Sequence, residues 1–473
     1  MNAAPLWTGL GLVAPLGARV SGRPPDRVDG VSIDTRTLAV GDLFVAIKGD
    51  TSDGHDYVRA AFEKGAAAAV IDEAHARALL GAGALYVVKN TLAALEGLGR
   101  AARARSKARI AAITGSVGKT STKEALRLVL SKIGATHASA ASYNNHWGVP
   151  LTLARMHADT RFGVFEIGMN HAGEITPLVG MVRPHVALIT RIAPVHLEHF
   201  ASVDAIAEAK AEIFSGIVKG GAAILPRDDA QFELLAKRAA ASPAGFVLSF
   251  GAHEGADARL LSSTPDGEGM RVEAEVLGRK LDYRIGAPGA HHAMNSLALL
   301  LAARALGADL EIAAAALAEY AAPVGRGRRE TLALADGPCV LIDESYNANP
   351  VSMRAALDLL GAAQGGRRIA VLGDMLELGP KAREMHAALA EDVERNAVDL
   401  VFTAGPLMGE LYAALPERAR GGHGATSADI EASVVAVLQP GDVVMIKGSN
   451  GSRMGRIVAA LREQSAARTR APA

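Results

Sequence analysis

At 473 residues the chain is too long for one hydrophobic core, and roughly two to four domains are expected. Hydrophobic residues make up 49% and charged residues 21%, the balance of an ordinary globular protein. Lys plus Arg and Asp plus Glu stand at 50 each with no long block of one sign, which argues against a general nucleic-acid or membrane-surface role.

The N-terminal "MNAAPLWTGLGLVAPLGAR" is apolar but carries no basic residue ahead of its apolar part, so a signal peptide is a weak reading. Residues 1–106 read as a small α/β unit. Within it "GDLFVAIKG" has a strand-like core closed by glycine. In "HDYVRAAFEKGAAAAVI" the residues Val58, Ala61, Phe62 and the following alanines keep near-helical spacing, which predicts a helix through the run. A second helical stretch, "TLAALEGLGRAARARSK", leads into the next unit.

Residues 107–322 begin with a strand, "RIAAIT", then a glycine loop, then the helix "STKEALRLVLSKIG". Leu126, Val129, Leu130 and Ile133 fall on one face of that helix and Gly134 ends it. Strands "FGVFEIG", "VALIT" and "GAAILP" alternate with helices such as "SVDAIAEAKAEIFSGIV", the pattern of a mostly parallel sheet covered on both faces. Residues 246–286 look richer in strand, and the helix "AMNSLALLLAARAL" follows. Residues 323–473 alternate again, with strands "CVLID", "RRIAVLG", "LVFTAG" and "DVVMIKG", a second doubly wound unit. The boundary "APVGRGRRE" has the composition of a hinge, and the closing "SAARTRAPA" is expected to fray. Three α/β domains result: a small N-terminal unit, a central parallel-sheet domain and a C-terminal Rossmann-like domain. The single cysteine, Cys339, cannot form an internal disulfide and lies in an apolar strand, so a buried inert thiol and a reducing, cytoplasmic setting are expected. No apolar stretch is long enough to span a bilayer, so membrane insertion is not expected.

Chemistry concentrates first in "ITGSVGKTSTKE", residues 113–124, placed between strand and helix. Gly118, Lys119 and Thr120 match the end of the phosphate-loop pattern G-x-x-x-x-G-K-[ST]; Ile113 stands where the first glycine belongs, and Gly115 lies closer in. Backbone N–H groups of such a loop and the positive helix end favour a polyphosphate. Lys119 would neutralise phosphate oxygens and Thr120 would hold magnesium, with Ser116 and Ser121 flanking. The plainer alternative is a glycine turn opening a helix with an exposed lysine. Glu166 ends the strand "FGVFEIG", at the rim where parallel sheets place active sites. Spacing alone singles out neither His196, in "APVHLEHF", nor Lys210, in "EAKAEIF"; by itself Lys210 reads as a solvated lysine beside Glu208 or Glu212.

Taken together, "ITGSVGKTSTKE", "NNHWGVPLTL", "FEIGMN", "AHHAMNSLA", "DESYNANP" and "VLGDMLELG" stand in an order that resembles the Mur ligases, the ATP-dependent amide-forming enzymes of peptidoglycan synthesis. The resemblance spans about residues 30 to 460, and the short loop with Gly115 is the family's own form. It is nearest to the branch that adds D-alanyl-D-alanine to UDP-N-acetylmuramoyl-tripeptide. In that branch the tripeptide carboxylate takes the γ-phosphate of ATP, becomes an acyl phosphate, and is attacked by the incoming amine.

The resemblance implies the following roles. Lys119 contacts the phosphates, and Thr120 and Glu166 hold Mg²⁺. His196 matches a metal-site histidine, and Lys210 matches a lysine that several members carry as a carbamate. Asn295 matches a nucleotide-contacting asparagine, although the usual His-Asn pair before it reads His291-His292. Arg326 matches the arginine that closes on the γ-phosphate; Arg328 and Arg329 lie close by in "GRGRR". Asp343, Tyr346, Asn347 and Asn349 would face the nucleotide, with an Asx turn before Pro350 as the plainer reading. Ser32, Asp34, Thr35 and Arg36, in "SIDTR", would sit at the uridine diphosphate end, as would "DGHDY"; Asp34 and Arg36 could instead be a surface pair. Asn144 and Asn145 would line the same substrate. Asp374, in "DMLELG", and Lys447, in "IKGSNGS", would face the acceptor, although Asn450 departs from the usual arginine there. A monomer that binds no nucleic acid is expected. A sister ligase with another amine, and a P-loop ATPase switch, are the competing readings; the first lacks its D-N-P-R motif here, and the second leaves "SIDTR" and "DESYNANP" unexplained.

Overall fold

The computed structural model describes residues 4–140, 142–195 and 197–470. They form three sheets in chain order. The N-terminal sheet has five strands, ordered Arg19–Ser21, Leu85–Val88, Ala68–Asp72, Asp42–Val45, Gly30–Ser32. All its pairs are parallel except the first, which is antiparallel. Here the long helix expected over "HDYVRAAFEKGAAAAVI" breaks up. A 3₁₀ turn, Gly54–Tyr57, leads into a helix of six residues, Val58–Glu63. Gly65 then turns the chain with φ 93°, and Ala68–Asp72 is a strand. Ala68, Ala69, Val70 and Ile71 are all buried, so both faces of this strand are covered. A short run buried on both faces has no period to tell strand from helix.

The central sheet has nine strands, running from the antiparallel edge Arg279–Ile285, Gly269–Val276, Ala258–Asp266 into parallel Phe246–Gly251, Ala222–Pro226, Val186–Ile189, Arg109–Thr114, Phe162–Glu166 and Thr136–Ala138. Strand Arg109–Thr114 shows how the layers form. Ala111 and Ile113 pack against helices Lys119–Ser131 and Ala290–Ala305, whereas Ile110 and Ala112 pack against Ile175–Val182 and Val203–Ala211. The segment "SVDAIAEAKAEIFSGIV" is helical only over Val203–Ala211 and tightens to 3₁₀ over Glu212–Gly216.

The C-terminal sheet runs Arg328–Leu334, Gly337–Glu344, Val443–Lys447, Arg368–Gly373, Leu400–Ala404, Arg420–Gly424, parallel except for its first pair. Two expectations change here. The residues "RRE" read as hinge begin the edge strand Arg328–Leu334, which a tight hairpin returns to Gly337–Glu344. The C-terminal segment expected to fray is helical to Arg470, within Gly455–Arg470. Arg462 on that helix pairs with Glu330 and Asp343, and Ser465 accepts from Ala333 N at 2.8 Å, so the helix is docked rather than free. Residues 471–473 lie outside the described residues. Among the described residues no helix is long and apolar enough to cross a membrane. Cys339 is 1% exposed, and burial pushes its thiol up to about 11.

Candidate active site

Strand Arg109–Thr114 passes directly into helix Lys119–Ser131 through residues 115–118. The glycines there are required by space as well as backbone. Gly115 has φ 147°, and a Cβ on it would lie 2.0 Å from Thr190 Oγ1. Gly118 has φ 83°, and a Cβ on it would lie 2.7 Å from Asn295 Nδ2. The loop rests on residues 190–193: Ser116 N donates to Arg191 O at 2.7 Å, Ser116 Oγ to Ala193 O at 3.0 Å, and Thr190 Oγ1 to Val117 O at 2.6 Å. No side chain caps the helix, so its first-turn N–H groups suit an anion.

Lys119 folds back, its Nζ donating to Gly115 O at 2.7 Å. Burial holds this amine below the ordinary lysine range; Glu166 opposes the shift and Arg326 adds to it. Thr120 Oγ1 donates to Glu166 Oε2 at 2.7 Å, and Asn144 Nδ2 donates to the other carboxylate oxygen at 2.8 Å. Glu166 is buried at the end of strand Phe162–Glu166. Lys210 overturns its plainer reading. It is 1% exposed, and neither neighbouring glutamate pairs with it. Glu208 pairs with Arg238 at 2.6 Å, and Glu212 accepts from Gly173 N at 2.6 Å and Thr176 Oγ1 at 2.9 Å. Burial first, and the charge of Lys119 second, push the Lys210 amine well below its ordinary value.

The C-terminal domain closes the other wall. Arg326 stacks over the Tyr346 ring at 4.2 Å and donates through Nη2 to Ser142 Oγ at 3.3 Å, crossing from one domain to the other. Lys447 donates to Glu344 Oε2 at 3.1 Å and to Asn347 O at 2.9 Å. It thereby joins the carboxyl ends of strands Val443–Lys447 and Gly337–Glu344. Asn349 caps helix Pro350–Gly361 in a capping box with Ser352, as the turn reading anticipated, and still lines the cleft.

These walls enclose a cavity of about 580 Å³. Of the residues singled out in the sequence, it brings together Ser116, Gly118, Lys119, Ser121, Asn144, Glu166, Asn295, Arg326, Tyr346, Asn347, Asn349 and Lys447. Lys447, expected at the acceptor, is thus on the same cavity as the loop. Asp343 and Asp374 are not. The Asp343 carboxylate is buried and accepts from Ser345 Oγ at 2.7 Å and Arg462 Nη2 at 2.9 Å. The Asp374 carboxylate accepts from Met408 N at 2.8 Å at the start of helix Met408–Ala414. Both carboxylates are engaged within the fold, and neither lines this cavity, where the sequence had led to the expectation of ligand contact. Asp34 and Arg36 form the surface pair named as the alternative, at 2.6 Å, with the Arg36 side chain 86% exposed. Ser32 Oγ donates to Asp34 O at 3.0 Å, Thr35 O accepts from Lys64 Nζ at 2.8 Å, and Asn145 Oδ1 accepts from Gly148 N at 2.9 Å. None of these five lines the cavity. His196 lies outside the described residues. The cavity also holds His291, noted in the sequence only as a departure from the usual pair, and residues with no role expected from the sequence: Ser142, Thr190, Asp228, Asp229 and Glu344. Asp228 and Asp229 follow the strand Ala222–Pro226 at its carboxyl end, the same placement that drew attention to Glu166. Burial lowers the His291 imidazole, against the pull of Glu344, and lowers His292 well below its ordinary value, helped by His291.

Residues 27–106 match the Mur ligase family catalytic domain, residues 113–303 the Mur ligase middle domain, and residues 327–450 the Mur ligase glutamate ligase domain. The chain is 32% identical over 453 residues to the UDP-N-acetylmuramoyl-tripeptide–D-alanyl-D-alanine ligase of Rickettsia prowazekii, covering 96% of this chain and 99% of that protein. It is 33% identical over 438 residues to the Escherichia coli enzyme of the same name, covering 92% and 94%. Among solved structures it resembles MurF from Acinetobacter baumannii, with a TM-score of 0.83, 29% identity, and 97% and 99% of the two chains covered. It also resembles the MurF ligase of Thermotoga maritima in complex with ADP, with a TM-score of 0.76, 25% identity, and 93% and 98% covered.

Proposed function

The chain belongs to the Mur ligase family, and on that basis we infer that it joins D-alanyl-D-alanine to the terminal carboxylate of UDP-N-acetylmuramoyl-tripeptide. ATP is the phosphoryl donor, and ADP and phosphate are released. The single observation that carries this reading is that Lys119, Arg326 and Glu166 share one cavity beside an uncapped helix start, with the Lys119 amine near enough to feel the charges of both Glu166 and Arg326. Lys119 and Arg326 facing the open start of a helix, partly out of water, favour negative charge between them, and a triphosphate with a substrate carboxylate supplies it.

The chemistry follows from that charge balance. A carboxylate is a poor acylating agent until phosphorylation provides a leaving group, and bringing it to a phosphate means bringing two anions together. In the proposed reaction Lys119 exchanges its bond to Gly115 O for phosphate oxygens. Arg326, reaching across the cleft, offsets the charge of the transferring group. The Thr120 hydroxyl and the Glu166 carboxylate are both oxygen donors held 2.7 Å apart, and they fit Mg²⁺, which would supply further neutralisation of phosphate oxygens when bound. We assign Lys210 as the site of a carbamate. Its depressed pKa favours the neutral amine, whose lone pair attacks CO₂ and whose proton leaves to solvent, and the product presents an anion where the bare lysine presents a cation. The N-terminal unit is assigned to the uridine diphosphate end of the substrate, and the enzyme is placed in the cytoplasm as a monomer.

The test is phosphate release with ATP, magnesium and the UDP-tripeptide, with the amine varied across D-alanyl-D-alanine, single D- and L-amino acids and none. Release confined to the dipeptide, with amide product by mass, is expected. Release with a different amine would move the chain to a sister activity, and release with ATP alone would remove the ligase reading. For Lys210, activity in CO₂-depleted buffer should fall and recover with bicarbonate; indifference to both would remove the carbamate.

A further inference from the structure

The phosphate loop is only as fixed as the segment it lies on. Gly115, Ser116 and Val117 each touch residues 190–193, through the close approach of Thr190 Oγ1 to Gly115, the paired contacts of Ser116 with Arg191 and Ala193, and the bond from Thr190 Oγ1 to Val117 O. That segment is the turn leaving strand Val186–Ile189: Thr190 N still donates to Thr114 O at 2.9 Å, and residues 191–193 lie past the end of the strand. It is gripped from the far side by Asp229, whose Oδ2 accepts from Ile192 N at 2.6 Å and whose Oδ1 lies 3.8 Å from Arg191 Nε. The Asp229 side chain is only 10% exposed. Its own backbone is held as well, since Asp229 O accepts from Phe232 N at 2.9 Å. The preceding residue makes the matching link on the opposite side, Asp228 accepting from Ala252 N at 2.7 Å and His253 N at 3.0 Å. Adjacent aspartates at the end of strand Ala222–Pro226 therefore tie its carboxyl edge to the ends of both neighbouring strands, and one of the two ties continues into the phosphate loop.

We propose that Asp229 is a positioning residue for the phosphate loop: it fixes residues 190–193, and through them the backbone groups of Gly115, Ser116 and Val117 that receive the nucleotide. The proposal rests on the reading of this site as an ATP site. It assigns Asp229 no contact with the reacting atoms; its part is to accept one backbone hydrogen bond.

The test compares Asp229→Asn, which keeps an acceptor oxygen at the same reach, with Asp229→Ala and the volume-matched Asp229→Leu, which do not. Two readouts are needed: ADP binding by calorimetry, and KM against kcat for each substrate. ADP binding and the KM for ATP should weaken about tenfold in the alanine and leucine variants, the order expected for one buried hydrogen bond. The asparagine variant should stay within twofold of wild type, kcat within threefold, and the KM values for the other two substrates should not move. ADP binding unchanged in the alanine and leucine variants would overturn the proposal. So would an asparagine variant as weak as alanine, because the charge rather than the hydrogen bond would then act. If alanine and leucine both fail to fold while asparagine folds, the bond serves the fold and the proposal also falls. A wild type that neither binds ADP nor turns over ATP would overturn the ATP reading itself, a result distinct from normal wild-type binding with unaffected variants.

Discussion

Gly118→Ala separates backbone strain from loss of the site. Gly118 has φ 83°, and an added Cβ would meet Asn295 Nδ2 at 2.7 Å. Holding an L-residue in the left-handed region costs about 1–2 kcal/mol. Ordinary van der Waals contact needs the amide to retreat by several tenths of an ångström, and an off-rotamer side chain adds about 0.5–1.5 kcal/mol. The total is about 1.5–3.5 kcal/mol. Gly278 is the matched control: its φ is 77°, it sits in the hairpin turn between strands Gly269–Val276 and Arg279–Ile285, and a Cβ there would meet nothing within 4 Å. Gly278→Ala should therefore cost only the backbone part, about 1–2 kcal/mol, and leave turnover intact. Gly118→Ala should lower kcat/KM for ATP by about 100-fold, because the loop N–H groups and Asn295 are displaced together from the position that receives phosphate. Thermal unfolding of both variants, with phosphate release under saturating UDP-tripeptide and dipeptide, makes the comparison. A Gly118→Ala enzyme with wild-type kcat/KM would refute the assignment of this turn as the phosphate loop.

Lys119→Met should reduce turnover by about 100- to 1000-fold while raising stability in the absence of nucleotide by about 1 kcal/mol, since a half-buried, depressed ammonium is replaced by an apolar chain of similar length; calorimetry showing a less stable methionine variant would contradict that charge accounting. Two groups give opposing pH dependences of stability. His185, whose Nδ1 accepts from Ile110 N at 3.0 Å, is lowered to about 4 from 6.5, chiefly by burial. Only the unfolded chain takes up its proton between those values, so about 3 kcal/mol is lost as pH falls from 6.5 to 4. Asp229 is raised to about 6 from 3.8, chiefly by burial, so the folded chain takes up its proton first and about 3 kcal/mol is gained as pH falls from 6 to 3.8. Asp229→Asn removes the second contribution, and urea unfolding of the variant should show a much steeper loss between pH 6.5 and 4 than wild type; parallel curves would show that the Asp229 shift is absent. Cys339, buried with its thiol pushed up to about 11, should resist a disulfide reagent in the native protein and react with one equivalent after denaturation.

Strand, loop and helix around residues 109–131 could be read from the chain, because apolar period and glycine placement are local properties. The motif order then named the family. Where local period was absent, the reading went wrong. The buried alanine run at 68–71 looks helical in isolation and is a strand because helices cover both of its faces. Arg328–Leu334 carries hinge-like composition and becomes an edge strand through its hairpin partner. The same division holds for the site. Glu166 ends a strand and Lys119 and Thr120 open the helix that follows the glycine loop, positions that topology assigns in advance. Lys210 had no local signal: only tertiary packing removes it from water and from its neighbouring glutamates, and so changes its chemistry. Asp343 and Asp374 sit in motifs that suggest ligand contact, yet their carboxylates are consumed by Arg462, Ser345 and the start of helix Met408–Ala414. Charge and residue type are written along the chain, but whether a carboxylate faces a cavity or a helix start depends on partners tens of residues away.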